Sequence, residues 1–177
     1  MKLYFFMNDI TSVCTYVFCY NEIGELCTLV GRRTSSAPTG ANMFTPPMGM
    51  VEYRENPYDA AVRECFEETN ILIPKNELKY YDTETYFMMG KQCFGANFYI
   101  ILKGTTNKHT IGIGDGENDK FIWLPLSKID SITWAFGTNN KIKEIISNFK
   151  ENIVELSFND LKDIINESIK RILRKNK

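Results

Sequence analysis

An α/β protein is expected, with strands on either side of one central helix and two further helices closing the chain. Three observations lead there: β-branched and aromatic runs bounded by turn residues in both halves, a helical repeat of apolar side chains over Tyr58–Thr69, and two amphipathic stretches after residue 138. At 177 residues and 20.5 kDa the chain can bury one full core, with at most a small appendage. Its composition, 44% hydrophobic and 24% charged, excludes collagen-like, mucin-like and disordered classes.

The elements follow in order. Thr11–Tyr20 reads as a strand, Asn21–Gly24 as a turn and Glu25–Arg33 as the returning strand. Thr34–Asn42 is small and polar, with Pro38 and Gly40, and is expected as a surface loop. At Pro46-Pro-Met-Gly49 a strand can start or bend, but no helix can begin. Pro57 suits a helix first turn, and Tyr58, Val62, Cys65, Phe66 and Thr69 recur at helical spacing behind it. Leu78–Met89 and Phe94–Lys103 read as two long strands around a turn at Gly90-Lys-Gln. Gly104–Asp119, polar and carrying Gly112, Gly114 and Gly116, is expected as a loop, and Phe121–Leu124 as a short strand stopped by Pro125. Asn139–Phe149 and Asn159–Leu173 are expected helices, whose apolar stripes would cover the main domain or meet a second copy in a homodimer. The expected division is therefore a main domain over 1–137 and a helical extension over 138–177.

Charge limits the partners. Twenty-one basic and 22 acidic residues leave a net charge of −1, so no global positive field would draw nucleic acid or an anionic membrane. The apolar stretch Leu3–Met7 is cut by Asn8 and Asp9, and no window nears the ~18 apolar residues of a membrane span, so a cytoplasmic protein is expected. The five cysteines are scattered and form no C-x-x-C pair, which argues for small buried hydrophobes rather than a disulfide framework or a zinc site. His109, in a polar loop, is given no role, and the cationic run Lys170–Lys177 reads as a solvated helix end.

One segment breaks this neutrality. Between Gly49 and Ile71 lie six acids (Glu52, Glu55, Asp59, Glu64, Glu67, Glu68) and two cations (Arg54, Arg63). At roughly 100° per residue, the helix from Pro57 to Thr69 would place Arg63, Glu64, Glu67 and Glu68 on one face, with Val62, Cys65 and Phe66 opposite. Glu64 and Glu68 are one turn apart, a mutually repulsive spacing that a cation between them would relieve. Oxygen-only ligands select a hard ion, Mg²⁺ first, with Mn²⁺ or Ca²⁺ after it.

An isolated E-x-x-E-E run would be read as a solvated acidic helix face. Here Gly49, five residues on Glu55, seven further Arg63-Glu64-Cys65-Phe66-Glu67-Glu68-Thr69-Asn70-Ile71 resembles the Nudix box, G-x5-E-x7-R-E-U-x-E-E-x-G-U. Six fixed positions match, which chance would produce in one register on the order of once in ten million. Asn70 stands at the final Gly, Cys65 at an aliphatic position, and Met48 where many family members have a second Gly. Asn is tolerated at a left-handed helix terminus and Cys on a buried face.

The resemblance implies a Nudix-type α/β/α sandwich with a mixed sheet plus C-terminal helices, and a metal-dependent pyrophosphohydrolase. Its substrate would be a nucleoside diphosphate linked to another moiety, a nucleotide, dinucleotide or nucleotide sugar, with water attacking phosphorus. By position, Glu64, Glu67 and Glu68 correspond to metal ligands, with Glu64 also the candidate base. Arg63 corresponds to the residue that holds box carboxylates by ion pairing, with Glu55 its expected partner, and a backbone carbonyl beside Gly49 often completes the coordination. For substrate binding the candidates are Arg33 at a strand end, Glu117 in the glycine-rich loop and Tyr86 as an aromatic that could stack on a base, with Arg32 and Phe87 beside them. The competing readings are an RNA 5′-end pyrophosphohydrolase, which would need a basic channel, and a Nudix-fold isomerase or nucleotide-sensing module. The four intact box carboxylates weigh against the sensor, and the near-neutral charge disfavours a nucleic-acid partner.

Overall fold

The computed structural model describes residues 9–112, 114 and 116–149. The chain divides into two units, residues 1–139 and 140–177.

In the first unit, β1 (Ile10–Tyr20) and β2 (Leu26–Arg33) form the expected antiparallel hairpin. Asn21 closes its turn: its side-chain Oδ1 accepts the amides of Ile23 and Glu25 at 3.1 and 2.8 Å, and Gly24 takes φ 81°. The two strands stay together only over Phe18–Tyr20 and Leu26–Thr28. Beyond that point β1 pairs with β4 (Met48–Met50), while β2 pairs with β3 (Phe44–Thr45) and along its length with β7 (Asn118–Pro125). On its other edge β1 runs parallel to β6 (Lys91–Thr105), which is antiparallel to β5 (Lys79–Met88). The seven strands thus form a mixed sheet, β3-β2-β1-β6-β5, forked where β1 and β2 part.

The helix α1 (Pro57–Thr69) packs on β1 and β4. Asn56 caps its start, accepting the Tyr58 amide at 2.9 Å, and its inner face is small, with Ala60, Ala61 and Cys65 each 0% exposed. Small side chains let the backbone come close enough for the Thr15 hydroxyl to donate to the Ala61 carbonyl at 3.4 Å. The main core joins these residues to Val13, Val17, Leu29, Ile73, Phe98, Ile100 and Phe121. Alternation along β2 and β7 sends Val30 and Leu124 to the opposite face, against Phe44.

Three sequence expectations are corrected. The turn between β5 and β6 is Met89-Gly90 alone, with Lys91 and Gln92 already paired, because φ of 51° and 75° make a two-residue hairpin turn. The loop after β6 is shorter than Gly104–Asp119: β6 runs through Thr105, a single 3-10 turn spans Thr106–Lys108, and β7 begins at Asn118. The face of α1 also divides differently, since Phe66 is 45% exposed whereas Glu68 is 2% exposed. All five cysteines are free and buried, as composition suggested, and burial pushes the Cys14 and Cys65 thiols up to about 12.

A further helix, α2, spans 138–149, with Ile142 and Ile145 buried. The expected helix 159–173 and the cationic run 170–177 lie outside the described residues. No helix among the described residues is long and apolar enough to cross a membrane.

Candidate active site

Arg63 organises the acids. Its Nε and Nη2 donate to Glu55 Oε1 and Oε2 at 2.9 and 2.8 Å, and its Nη1 donates to Glu64 Oε1 at 2.8 Å and Glu67 Oε2 at 3.0 Å. Nη2 also donates to the Met50 carbonyl at 2.9 Å, which ties α1 to β4. The expected Arg63–Glu55 pair is therefore present, and one carbonyl beside Gly49 is already engaged by the arginine. Hydrogen bonding to Glu55 in the first place, and then to Glu64 and Glu67, holds the guanidinium well above its ordinary value despite partial burial. The same bond, helped by the Glu52 amide at 2.9 Å and opposed by burial, lowers Glu55 below the usual carboxylate range.

Gly49 is the second fixed point. A β-carbon there would lie 2.1 Å from Glu64 Cδ and within 2.3 Å of both its carboxylate oxygens. The Glu64 carboxylate thus occupies the space that any side chain on β4 would fill, which gives the box glycine a physical reason.

Glu68 is set apart from the other three. Its side chain turns inward, where Oε1 accepts the Met48 amide at 3.4 Å and Oε2 accepts Asn118 Nδ2 at 3.5 Å. Met48 therefore acts here through its backbone, and the absence of a second glycine leaves that amide in place. At the helix end Asn70 adopts φ 61° and ψ 15° and donates its amide to the Phe66 carbonyl, so Asn serves as the left-handed cap. Beyond it Gly112 and Gly114 donate to the carbonyls of Thr69 and Glu68 at 2.8 and 3.2 Å. A β-carbon on Gly114 would fall 1.4 Å from the Glu67 carbonyl oxygen, so this loop glycine permits the helix end to be covered. Sequence spacing signalled neither this contact nor Asn118, which is 3% exposed on β7.

The substrate-binding candidates are held by separate sets of contacts. Arg33 is 9% exposed; its Nε donates to the Thr39 carbonyl at 2.9 Å, its guanidinium lies 5.6 Å from the Phe136 ring centroid, and Nη1 is 3.9 Å from Glu117 Oε2. Arg33 and Glu117 are thus brought together, and Arg33 faces Asn118 across the β2–β7 ladder. Arg32 is engaged separately in a two-pronged pair with Asp119. Tyr86 donates its hydroxyl to Ser12 Oγ at 2.9 Å, which ties β5 to the start of β1, and its neighbour Phe87 is 76% exposed. His109 is placed by its Nε2 against the Lys103 carbonyl.

Among the described residues no three His, Cys, Asp or Glu side chains are grouped as a ready metal cluster, because Arg63 lies among Glu55, Glu64 and Glu67 while Glu68 points inward. The chemistry of the donors nevertheless fits a hard divalent cation. They are carboxylates, one of them nearly fully buried, beside a glycine cradle and a buried Asn118 Oδ1 that has no hydrogen-bond partner among the described residues.

A model of the NUDIX domain matches residues 11–149. Among solved structures, the NUDIX domain of Shewanella oneidensis NrtR, complexed with ADP ribose, superposes with a TM-score of 0.67 at 16% identity, over 80% of this chain and 88% of that one. An Ap4A hydrolase from C. elegans gives 0.58 at 18% identity, over 80% and 98%. A bifunctional NMN adenylyltransferase/ADP ribose pyrophosphatase from Francisella tularensis, complexed with AMP and a Mn ion, gives 0.63 at 18%, over 83% and 44%. At these identities the likeness is one of fold. A mouse transmembrane channel-like protein 1 is 36% identical over 73 residues, 40% of this chain, and the chain spans about a tenth of that protein's length.

Proposed function

The chain belongs to the NUDIX domain family, and from that premise we propose that it is a metal-dependent pyrophosphohydrolase of nucleoside diphosphates linked to a second group. The observation that carries this reading is the Arg63-centred set of Glu55, Glu64 and Glu67, with Glu68 buried behind it. So many carboxylates would repel a diphosphate on their own, and a divalent cation supplies the charge neutralisation and the activation of water that this substrate requires.

The chain's own residues divide the remaining work. Glu64, Glu67 and Glu68 would hold the ion, Mg²⁺ or Mn²⁺. Glu64, placed against Gly49 and hydrogen-bonded to Arg63, is the candidate to accept the proton of the attacking water. Arg63 and Glu55 orient it without touching the reacting phosphorus. Arg33 and Glu117, joined beside the first residue of β7, are the substrate-binding candidates, Arg33 for phosphate. Tyr86, with its hydroxyl engaged by Ser12, could offer a ring face to a base and no proton.

Structurally similar proteins bind or cleave ADP ribose and Ap4A by name, which supports keeping nucleotide sugars and dinucleotides among the candidate substrates. The protein is taken to act in the cytoplasm on small molecules. Purified full chain incubated with Mg²⁺ or Mn²⁺ and a panel of nucleotides, dinucleotides and nucleotide sugars should give nucleoside monophosphate products by chromatography. Turnover undiminished by EDTA would sink metal dependence, and no turnover of any diphosphate would sink the activity.

A further inference from the structure

Asn118 is a polar side chain at the site with one buried atom left without a partner among the described residues. It opens β7, is 3% exposed, and its Nδ2 is directed at Glu68 Oε2, 3.5 Å away. Its Oδ1 is buried and has no hydrogen-bond partner among the described residues. A buried amide oxygen left in that state is destabilising, so the position calls for a compensating role. Its seat is also prepared: a β-carbon on Gly31, across the β2–β7 ladder, would lie 3.0 Å from Asn118 Cγ and 2.6 Å from the Phe121 ring. Gly31 thus leaves room for the Phe121 ring first and for the Asn118 amide beside it.

We propose that Asn118 is a positioning residue for Glu68: its amide N–H fixes the buried carboxylate as a ligand for a divalent cation, and its Oδ1 accepts a hydrogen bond from water carried by that cation. An amide suits the place because it orients the carboxylate through a hydrogen bond and leaves the negative charge for the cation, whereas a lysine or arginine would neutralise it. The proposal rests on the metal-dependent reading above, and it adds a residue outside the box to the apparatus that holds the ion.

The test is Mn²⁺ binding to the full chain without substrate, followed by electron paramagnetic resonance of free Mn²⁺, together with thermal unfolding in EDTA. Asn118→Leu keeps the bulk and removes the donor, and should weaken Mn²⁺ binding about tenfold while melting in EDTA close to wild type. Asn118→Asp keeps the shape but sets a second carboxylate against Glu68; it should melt lower in EDTA and gain more than wild type on adding Mn²⁺. A leucine variant that binds Mn²⁺ as wild type does would overturn the proposal. If that variant does not fold, an aspartate variant with the wild-type gain on Mn²⁺ would overturn it equally. A wild-type chain that binds no Mn²⁺ is a different result, and removes the metal-dependent reading itself.

Discussion

At Gly49 a single hydrogen atom in place of a methyl group decides whether Glu64 can reach β4. Gly49→Ala should fold, because the collision is with a side-chain end, but displace that carboxylate by about 1 Å or more and lower kcat roughly a hundredfold. Steady-state kinetics beside circular dichroism checks it. Glu64→Gln and Glu68→Gln should each lower kcat by on the order of a hundredfold or more, and a variant turning over at the wild-type rate would take its residue out of the mechanism. Arg63 carries a pH signature as well. Glu55 is held below its reference value of 4.5, so the ion pair contributes stability above that pH and loses it as the pH falls and Glu55 protonates. Arg63→Met should therefore be less stable than wild type at pH 7, and the gap should narrow below about pH 4.5 in urea unfolding series. An unchanged gap from pH 7 to 3 would mean that the pair adds nothing to folding.

For α1 the sequence announced the start, the apolar repeat and the stop. Pro57 after the capping Asn56 begins it, and Asn70 ends it in the left-handed conformation that a family glycine would adopt. Asn70→Ala should cost about 1 kcal/mol and Asn70→Gly almost nothing, measured by thermal unfolding. The helix nevertheless misled at two positions. Phe66 reads as inward by its chemistry yet lies exposed, and Glu68 reads as outward yet is buried. Periodicity places residues around an axis, but which arc faces the sheet depends on what the sheet offers. Here β4 and β7 offer the Met48 amide and the Asn118 amide, so a carboxylate can turn inward at that arc.

On the scale of the whole molecule, β1 runs parallel to β6 on one edge and parts from β2 on the other, and the box reaches both arms of that fork, through Met48 and Met50 of β4 and Asn118 of β7. Strands were readable from their residues, but pairing partners separated by some eighty positions were not, because any two strands of similar pattern could pair. The loop before β7 shows the same limit: Gly112 and Gly114 read as flexibility, and their reason lies in the carbonyls of α1 that they cover. An ion bound only by the folded chain should stabilise the molecule as a unit. At one hundred times its dissociation constant, Mg²⁺ or Mn²⁺ should raise unfolding free energy by about 2.7 kcal/mol, reversibly with EDTA. A melting temperature indifferent to both would contradict binding to the native state alone.

Local chemistry by itself determined the helix between Gly49 and Ile71, its ends and the acids it carries, because caps, turns and helical period depend on neighbours in the chain, and the resemblance of that spacing to the Nudix box implied the class of the protein. Beyond the Arg63–Glu55 pair that the box resemblance implied, only the tertiary structure decided what the box acids meet. Arg63 gathers three of the four box carboxylates, Glu55, Glu64 and Glu67, while the fourth, Glu68, reaches a β7 amide fifty residues away, a meeting set by strand pairing and burial rather than by any pattern in the chain.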